Sequence, residues 1–198
     1  SDLRKAGLFY VSVSLDHWQE EEHDKIRRCR GSFRTALKAI DIFNDIGGIH
    51  VGVSTVLSKG FLKPDRLEEF MEFLVRSGVR EAWLSETKPA VKPLWDQKFI
   101  ITEEERFDLI KFQDRYNKRG NITVNYLGHF ESRHHFGCNA GRKMVYVDAF
   151  GEVSPCVFSP VTFGNVKDRP VRDIFQDMKQ HFPSHDRCFV NTNYKLFD

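Results

Sequence analysis

From residue 8 to residue 126 short apolar runs alternate with stretches of helical periodicity, and this alternation restricts the accessible folds more than any other feature of the chain. Residues 8–16, Leu-Phe-Tyr-Val-Ser-Val-Ser-Leu-Asp, predict a strand with Val11, Val13 and Leu15 on one face and Ser12, Ser14 and Asp16 on the other. A helix is expected from about Ser32, with Phe33, Ala36, Leu37, Ile40 and Phe43 at helical spacing and Gly47-Gly48 as its stop. The run His50–Leu57 predicts a second strand. Pro64 near the start and Leu67, Phe70, Met71 and Leu74 on one face predict a second helix, which Gly78 ends before a third strand at Glu81–Ser85. Residues 86–101 hold Pro89 and Pro93 and read as a loop. Thr102 and Glu105 have the spacing of a capping box, so a third helix is expected to run to about Arg119 and close at Gly120, followed by a fourth strand at Ile122–Tyr126. Strands joined by crossover helices lie parallel, so the expected fold is α/β, with the sheet either doubly wound or curled into a barrel.

Near residue 128 the alternation stops, and Gly, His, Cys and Asn crowd together. The expected division is 1–127 and 128–198. In the second part Lys143–Asp148 and Glu152–Cys156 predict a hairpin turning at Ala149-Phe150-Gly151. A short helix follows, with Pro170 near its start and Val171, Ile174, Phe175 and Met178 on its apolar face. The last twenty residues read as irregular apart from Cys188.

Charge excludes some classes of partner. Basic and acidic residues are interspersed and leave a net charge of +2, so no basic footprint for nucleic acid exists. No run approaches the roughly 20 apolar residues of a membrane span. The first residues lack the pattern of a signal peptide, so a cytoplasmic, reducing setting is expected. Leu3-Arg4-Lys5-Ala6-Gly7 resembles the last turn of a helix and its glycine cap, and the chain is expected to begin in mid-fold.

In a reducing setting the four cysteines, Cys29, Cys138, Cys156 and Cys188, favour metal or cluster ligation over disulfides. Cys138 and Cys156 flank the predicted hairpin, and Cys188 returns from downstream. Three sulfurs converging in this way suit an iron–sulfur centre. Zinc held by the same cysteines with His134 or His135 satisfies the spacing equally well. Cys29 lies outside the pattern and reads as a packed thiol.

The stretches Gly137-Cys138-Asn139-Ala140-Gly141-Arg142, Val145-Tyr146-Val147-Asp148, Gly151-Glu152-Val153-Ser154-Pro155-Cys156 and Phe163-Gly164-Asn165-Val166 occur in that order. This order resembles the C-terminal auxiliary-cluster region of radical S-adenosylmethionine (radical SAM) enzymes of the SPASM/Twitch group. Upstream, Val13-Ser14-Leu15-Asp16, His23-Asp24, Arg27 and Gly31-Ser32-Phe33 resemble the segment after the middle barrel strand of the same enzymes. The CxxxCxxC motif of the SAM-binding cluster does not occur in residues 1–198, nor does a CxxC pair between Cys156 and Cys188. His17-Trp18 stands where the group usually has Gly.

The resemblance implies the second half of a partial parallel (β/α) barrel followed by a small α+β module of Twitch or SPASM type. It implies one auxiliary 4Fe-4S cluster on Cys138, Cys156 and Cys188, whose fourth iron is open to a substrate group or filled by His134 or His135, with four-cysteine ligation through Cys29 as the alternative. S-adenosylmethionine in the complete enzyme is implied to meet Ser14, Asp16 and Arg27. Arg27 has an alternative in an ion pair with Glu20–Glu22 or Asp24, and Ser14 in a hydroxyl satisfied inside the sheet. No catalytic residue is assigned within 1–198, and these residues alone are expected not to cleave SAM. The implied partners are a small-molecule or peptide substrate and a reductant such as ferredoxin or flavodoxin.

Overall fold

The computed structural model describes residues 2–96, 98–133, 135–183 and 185–197, with Pro64 described through its backbone alone. The chain divides into two compact units, Ser1–Glu86 with Ile101–Leu127, and Thr87–Ile100 with Gly128–Asp198. Residues 87–100, read from sequence as a loop of the first part, thus go with the second unit.

The first unit runs α1 (Asp2–Lys5), β1 (Tyr10–Ser14), α2 (Glu20–Arg27), α3 (Ser32–Ile46), β2 (His50–Leu57), a 3-10 turn (Lys59–Leu62), α4 (Pro64–Arg76), β3 (Glu81–Glu86), α5 (Glu103–Arg119) and β4 (Thr123–Tyr126). All pairings in the four-stranded sheet are parallel, in the order β1-β2-β3-β4. The expected partial (β/α) barrel is borne out. Of its two inner strands β2 is mostly apolar and buried, while β3 alternates buried Ala82, Leu84 and Glu86 with half-buried Glu81, Trp83 and Ser85. Val51, Val53, Leu57, Ala82 and Leu84 have no exposure, and they pack with Ile40 of α3 and Phe70, Met71 and Leu74 of α4. Each fully buried Leu or Phe here contributes about 1.5–3 kcal/mol of transfer free energy.

The local signals act as the sequence suggests. Thr102 Oγ1 accepts from Glu105 N at 3.2 Å while Glu105 Oε2 accepts from Thr102 N at 2.6 Å, which closes the capping box of α5. Gly120, at φ 74°, ends that helix in the left-handed conformation glycine adopts without strain. β1 is shorter than expected. Leu15, Asp16 and His17 leave the strand yet are buried, because Leu15 N donates to Ser54 O at 3.1 Å and Thr55 Oγ1 donates to Leu15 O at 2.7 Å.

In the second unit a 3-10 turn (Lys92–Leu94) precedes α6 (Leu127–Phe130, shared at the boundary), β5 (Tyr146–Val147), β6 (Val153–Ser154), α7 (Val171–His181), α8 (Phe189–Asn193) and a closing 3-10 turn (Tyr194–Phe197). β5 and β6 form the expected antiparallel hairpin, although each strand is only two residues long. The tail is not irregular as expected: Phe189, Val190 and Tyr194 are buried. A five-residue helix is too short to display a period in sequence, and tertiary packing holds it.

Candidate functional site

The hairpin of the second unit is locked at its tip by side chains of the recognised motif. Asp148 Oδ1 accepts from the N–H groups of Phe150 (2.8 Å) and Glu152 (2.9 Å). Asn165 Nδ2 donates to Phe150 O at 3.2 Å and to Glu152 Oε1 at 2.8 Å. Gly151 sits at φ 95°, where a Cβ would lie 2.6 Å from Asn165 Oδ1, so conformation and space both require glycine. Val153 N donates to Gly164 O (2.8 Å), Phe163 N to Val153 O (2.9 Å) and Val166 N to Gly151 O (2.9 Å). Phe163–Val166 thereby lies along the hairpin as a third arm and fixes the end of the strand that carries Cys156.

Two backbone hydrogen bonds connect the three cysteine-bearing segments. Gly141 N donates to Pro155 O at 3.0 Å, tying the loop after Cys138 to the residue before Cys156. Cys138 N donates to His185 O at 3.2 Å, tying that loop to the segment leading into Cys188. All three thiols are free, half-buried and packed against the core of Ala140, Val153, Ile174, Met178, Phe182, Phe189 and Val190. Burial raises the Cys156 thiol, opposed by the N–H groups of Phe158 and Ser159 and reinforced by Cys138 and Glu131. Burial pushes Cys188 up to about 11, with Lys88 opposing and Glu131 and Cys138 reinforcing. Cys138 therefore acts on both other cysteines. Thiols held neutral by burial ionise where a soft cation compensates them, and iron supplies that compensation chemically. The donor set fits an iron–sulfur centre in its chemistry.

Beside the thiols, buried Lys88 forms an ion pair with Glu131. Neither residue was singled out in sequence, because no local pattern distinguishes them from surface charges. Among the described residues no three His, Cys, Asp or Glu side chains are gathered as ligands of one metal ion. Sulfurs round a single zinc stand about 3.8 Å apart, given Zn–S bonds of about 2.3 Å in a tetrahedron. A cluster spreads its ligands over several irons and asks for wider spacing.

For the fourth ligand, His134 lies outside the described residues. His135 is exposed and its ring lies on Phe136, with centroids 3.9 Å apart. Cys29, in the first unit, is exposed rather than packed.

In the first unit, Asp16 and Arg27 are brought to each other. Asp16 is buried, its Oδ2 2.6 Å from Arg27 Nε, and its Oδ1 accepts from Val56 N at 2.9 Å. The alternative of an ion pair between Arg27 and Glu20–Glu22 or Asp24 is replaced by this pair with Asp16. Asp24 instead accepts from Gly31 N (2.5 Å), Phe33 N (2.9 Å) and Ser32 Oγ (2.9 Å), capping α3 in place of the side chain Gly31 lacks. His23, part of the upstream motif but given no role in sequence, is buried and its Nδ1 accepts from Asp16 N at 3.1 Å. Ser14 is exposed at the C-terminal end of β1, the end at which parallel α/β sheets build their sites. At the same end of β3, buried Glu86 takes Arg106 on both oxygens (2.9 and 3.0 Å) and the Tyr126 hydroxyl at 2.5 Å.

Comparison with known proteins defines the class. The model of the SPASM family, an iron–sulfur cluster-binding domain, matches residues 138–191, a span that opens on Cys138 and takes in Cys156 and Cys188. Residues 138–191 of the second unit are thus similar to a SPASM domain. In sequence the chain is similar to radical SAM enzymes of the SPASM type. The AdoMet-dependent heme synthase of Methanosarcina barkeri is 25% identical over 195 residues, covering 88% of this chain and 55% of that protein. The antilisterial bacteriocin subtilosin biosynthesis protein AlbA of Bacillus subtilis is 27% identical over 181 residues, covering 86% of this chain and 38% of its own. The chain spans about half or less of the length of these relatives. In fold it is similar to Streptococcus suis SuiB bound to precursor peptide SuiA, with a TM-score of 0.67 at 13% identity over 92% of this chain and 49% of SuiB.

Proposed function

We propose that this chain supplies the back of the barrel and one auxiliary 4Fe-4S cluster to a radical SAM enzyme that modifies a peptide. The observation that carries the reading is the stitching of the Cys138, Cys156 and Cys188 segments by backbone hydrogen bonds inside residues matched to an iron–sulfur family. Reductive cleavage of S-adenosylmethionine at a separate cluster would supply the hydrogen-abstracting radical, and the protein's part is to hold and orient the reacting groups. Ser14, exposed at the end of β1, is assigned to S-adenosylmethionine. The Asp16–Arg27 pair is assigned to shaping the same strand end, with the guanidinium, about a third exposed (35%), presenting its outer nitrogens to a carboxylate. A peptide is preferred over a small molecule because AlbA is a bacteriocin biosynthesis protein and SuiB was solved with a precursor peptide. A reductant such as ferredoxin or flavodoxin belongs to the same proposal.

Separate Cys→Ser changes at all four cysteines, each followed by iron and sulfide analysis after anaerobic reconstitution, test the ligand set. Severe loss of iron at Cys138, Cys156 and Cys188 with near-normal iron at Cys29 is expected. A colourless, iron-free wild type, or a zinc content that replaces iron, overturns the cluster.

A further inference from the structure

We propose that His185 is the fourth protein ligand of the auxiliary cluster and binds iron through Nε2, an inference that rests on the cluster reading above. Three independent observations converge on this side chain. Its Nε2 is buried and has no hydrogen-bond partner, a state that leaves a polar group uncompensated unless something binds it. His185 and Cys138 both line one cavity of about 390 Å³, with Phe136, Asn139, Arg142, Lys143 and Lys179, while Cys156 and Cys188 lie outside its lining. Its carbonyl accepts the Cys138 N–H, and its sequence position, His185-Asp186-Arg187-Cys188, puts it three residues before another cysteine of the set. Two donors three residues apart are a recurrent way for one short segment to grip a metal centre.

The ring is also held. Phe189 lies against it with centroids 4.6 Å apart, and Phe182 edges it at 6.5 Å. Gly137, at φ 67°, brings the chain close enough that a Cβ there would lie 3.3 Å from His185 O, so the loop entering Cys138 and the segment carrying His185 are in backbone contact. The other histidine at this spacing, His135 before Cys138, is exposed, and water satisfies its nitrogens without a metal. Ligation by His185 uses the Nε2 lone pair and leaves the ring proton on Nδ1. It also fills the fourth iron, so this cluster would carry electrons and not bind substrate directly.

The test uses the reconstituted full chain as wild type, His185→Ala, His185→Cys and His135→Ala. Iron and sulfide content, nitrogen hyperfine coupling by pulsed electron paramagnetic resonance, and reduction potential are read for each. The wild type is expected to show the strong coupling of a directly bound imidazole nitrogen, retained in His135→Ala. In His185→Cys the coupling disappears, four irons remain, and the potential falls, because a thiolate adds negative charge where a neutral imidazole stood. His185→Ala should lose iron or the coupling. A wild-type cluster of four irons without nitrogen coupling, or an unchanged coupling and potential in His185→Cys, overturns the His185 assignment while the cluster reading stands. Absence of iron from the wild type overturns both.

Discussion

The first unit gathers twenty-two buried apolar side chains, among the described residues, into one core round four parallel strands, whereas the core of the second holds seven. The second unit's hairpin strands are two residues long, and its polar locks at Asp148 and Asn165 hold turns more than layers. A core of seven side chains buries little apolar surface, and metal ligation is a common remedy for a small core. The contrast teaches that burial orders the first unit through one large core, whereas the second rests on a smaller core and on polar locks at its turns.

The largest effect that sharpens this contrast should follow removal of iron. Treating the reconstituted protein with a chelator under reducing conditions is expected to abolish amide protection across residues 138–191 while β2 and β3 keep theirs. Equal protection of the second unit with and without iron, read by hydrogen exchange, would break the comparison.

Next in size is a cavity in the first core. Phe70 is fully buried against Phe61 and Trp18, and Phe70→Ala should cost about 3–5 kcal/mol in denaturant unfolding. Its iron content should match the wild type's. Loss of iron in that variant would mean that the two units do not fold by separate forces.

A smaller effect separates ligand from fold within the first unit. In the complete enzyme, Ser14→Ala should weaken S-adenosylmethionine binding by about 0.5–1.5 kcal/mol, the worth of one neutral hydrogen bond. Titration calorimetry reads the change. An unaltered affinity would reduce Ser14 to an exposed strand residue.

The smallest effect is in pH. Burial lowers both His17 and His23 below the ordinary imidazole value of 6.5. His17 Nδ1 accepts from Gln19 N at 3.0 Å as His23 Nδ1 does from Asp16 N, and both bonds need a neutral ring. Between the depressed folded values and 6.5 the unfolded chain binds more protons than the folded one, so stability is complete above about 6.5 and declines as pH falls below it. The urea midpoint of the first unit should drop between pH 7.5 and 5.5, and a level midpoint would count against the neutral-ring assignment.

The sequence by itself determined the layered part of this protein. The period of two in Val11 and Val13, the helical spacing of Leu67, Phe70, Met71 and Leu74, the Thr102–Glu105 box and Gly120 are local signals, and each one set its element because propensity, capping and burial agreed. The order of the motifs from Gly137 to Val166 likewise marked the cysteine module, since Gly151 and Asn165 leave their imprint at fixed positions along the chain.

Only the tertiary structure decided where distant side chains meet. Asp16 finds Arg27, Glu86 finds Arg106 and Tyr126, and Lys88 finds Glu131 across forty-three positions of chain. No periodicity encodes such pairs, because a charged residue reads alike in sequence whether it faces water or a partner. The same holds for His185, whose buried, unpartnered nitrogen becomes visible only when Cys138 folds back onto its carbonyl. Asp186, which follows it, is exposed, and burial of the imidazole nitrogen is a property of the packed chain that no local pattern displays.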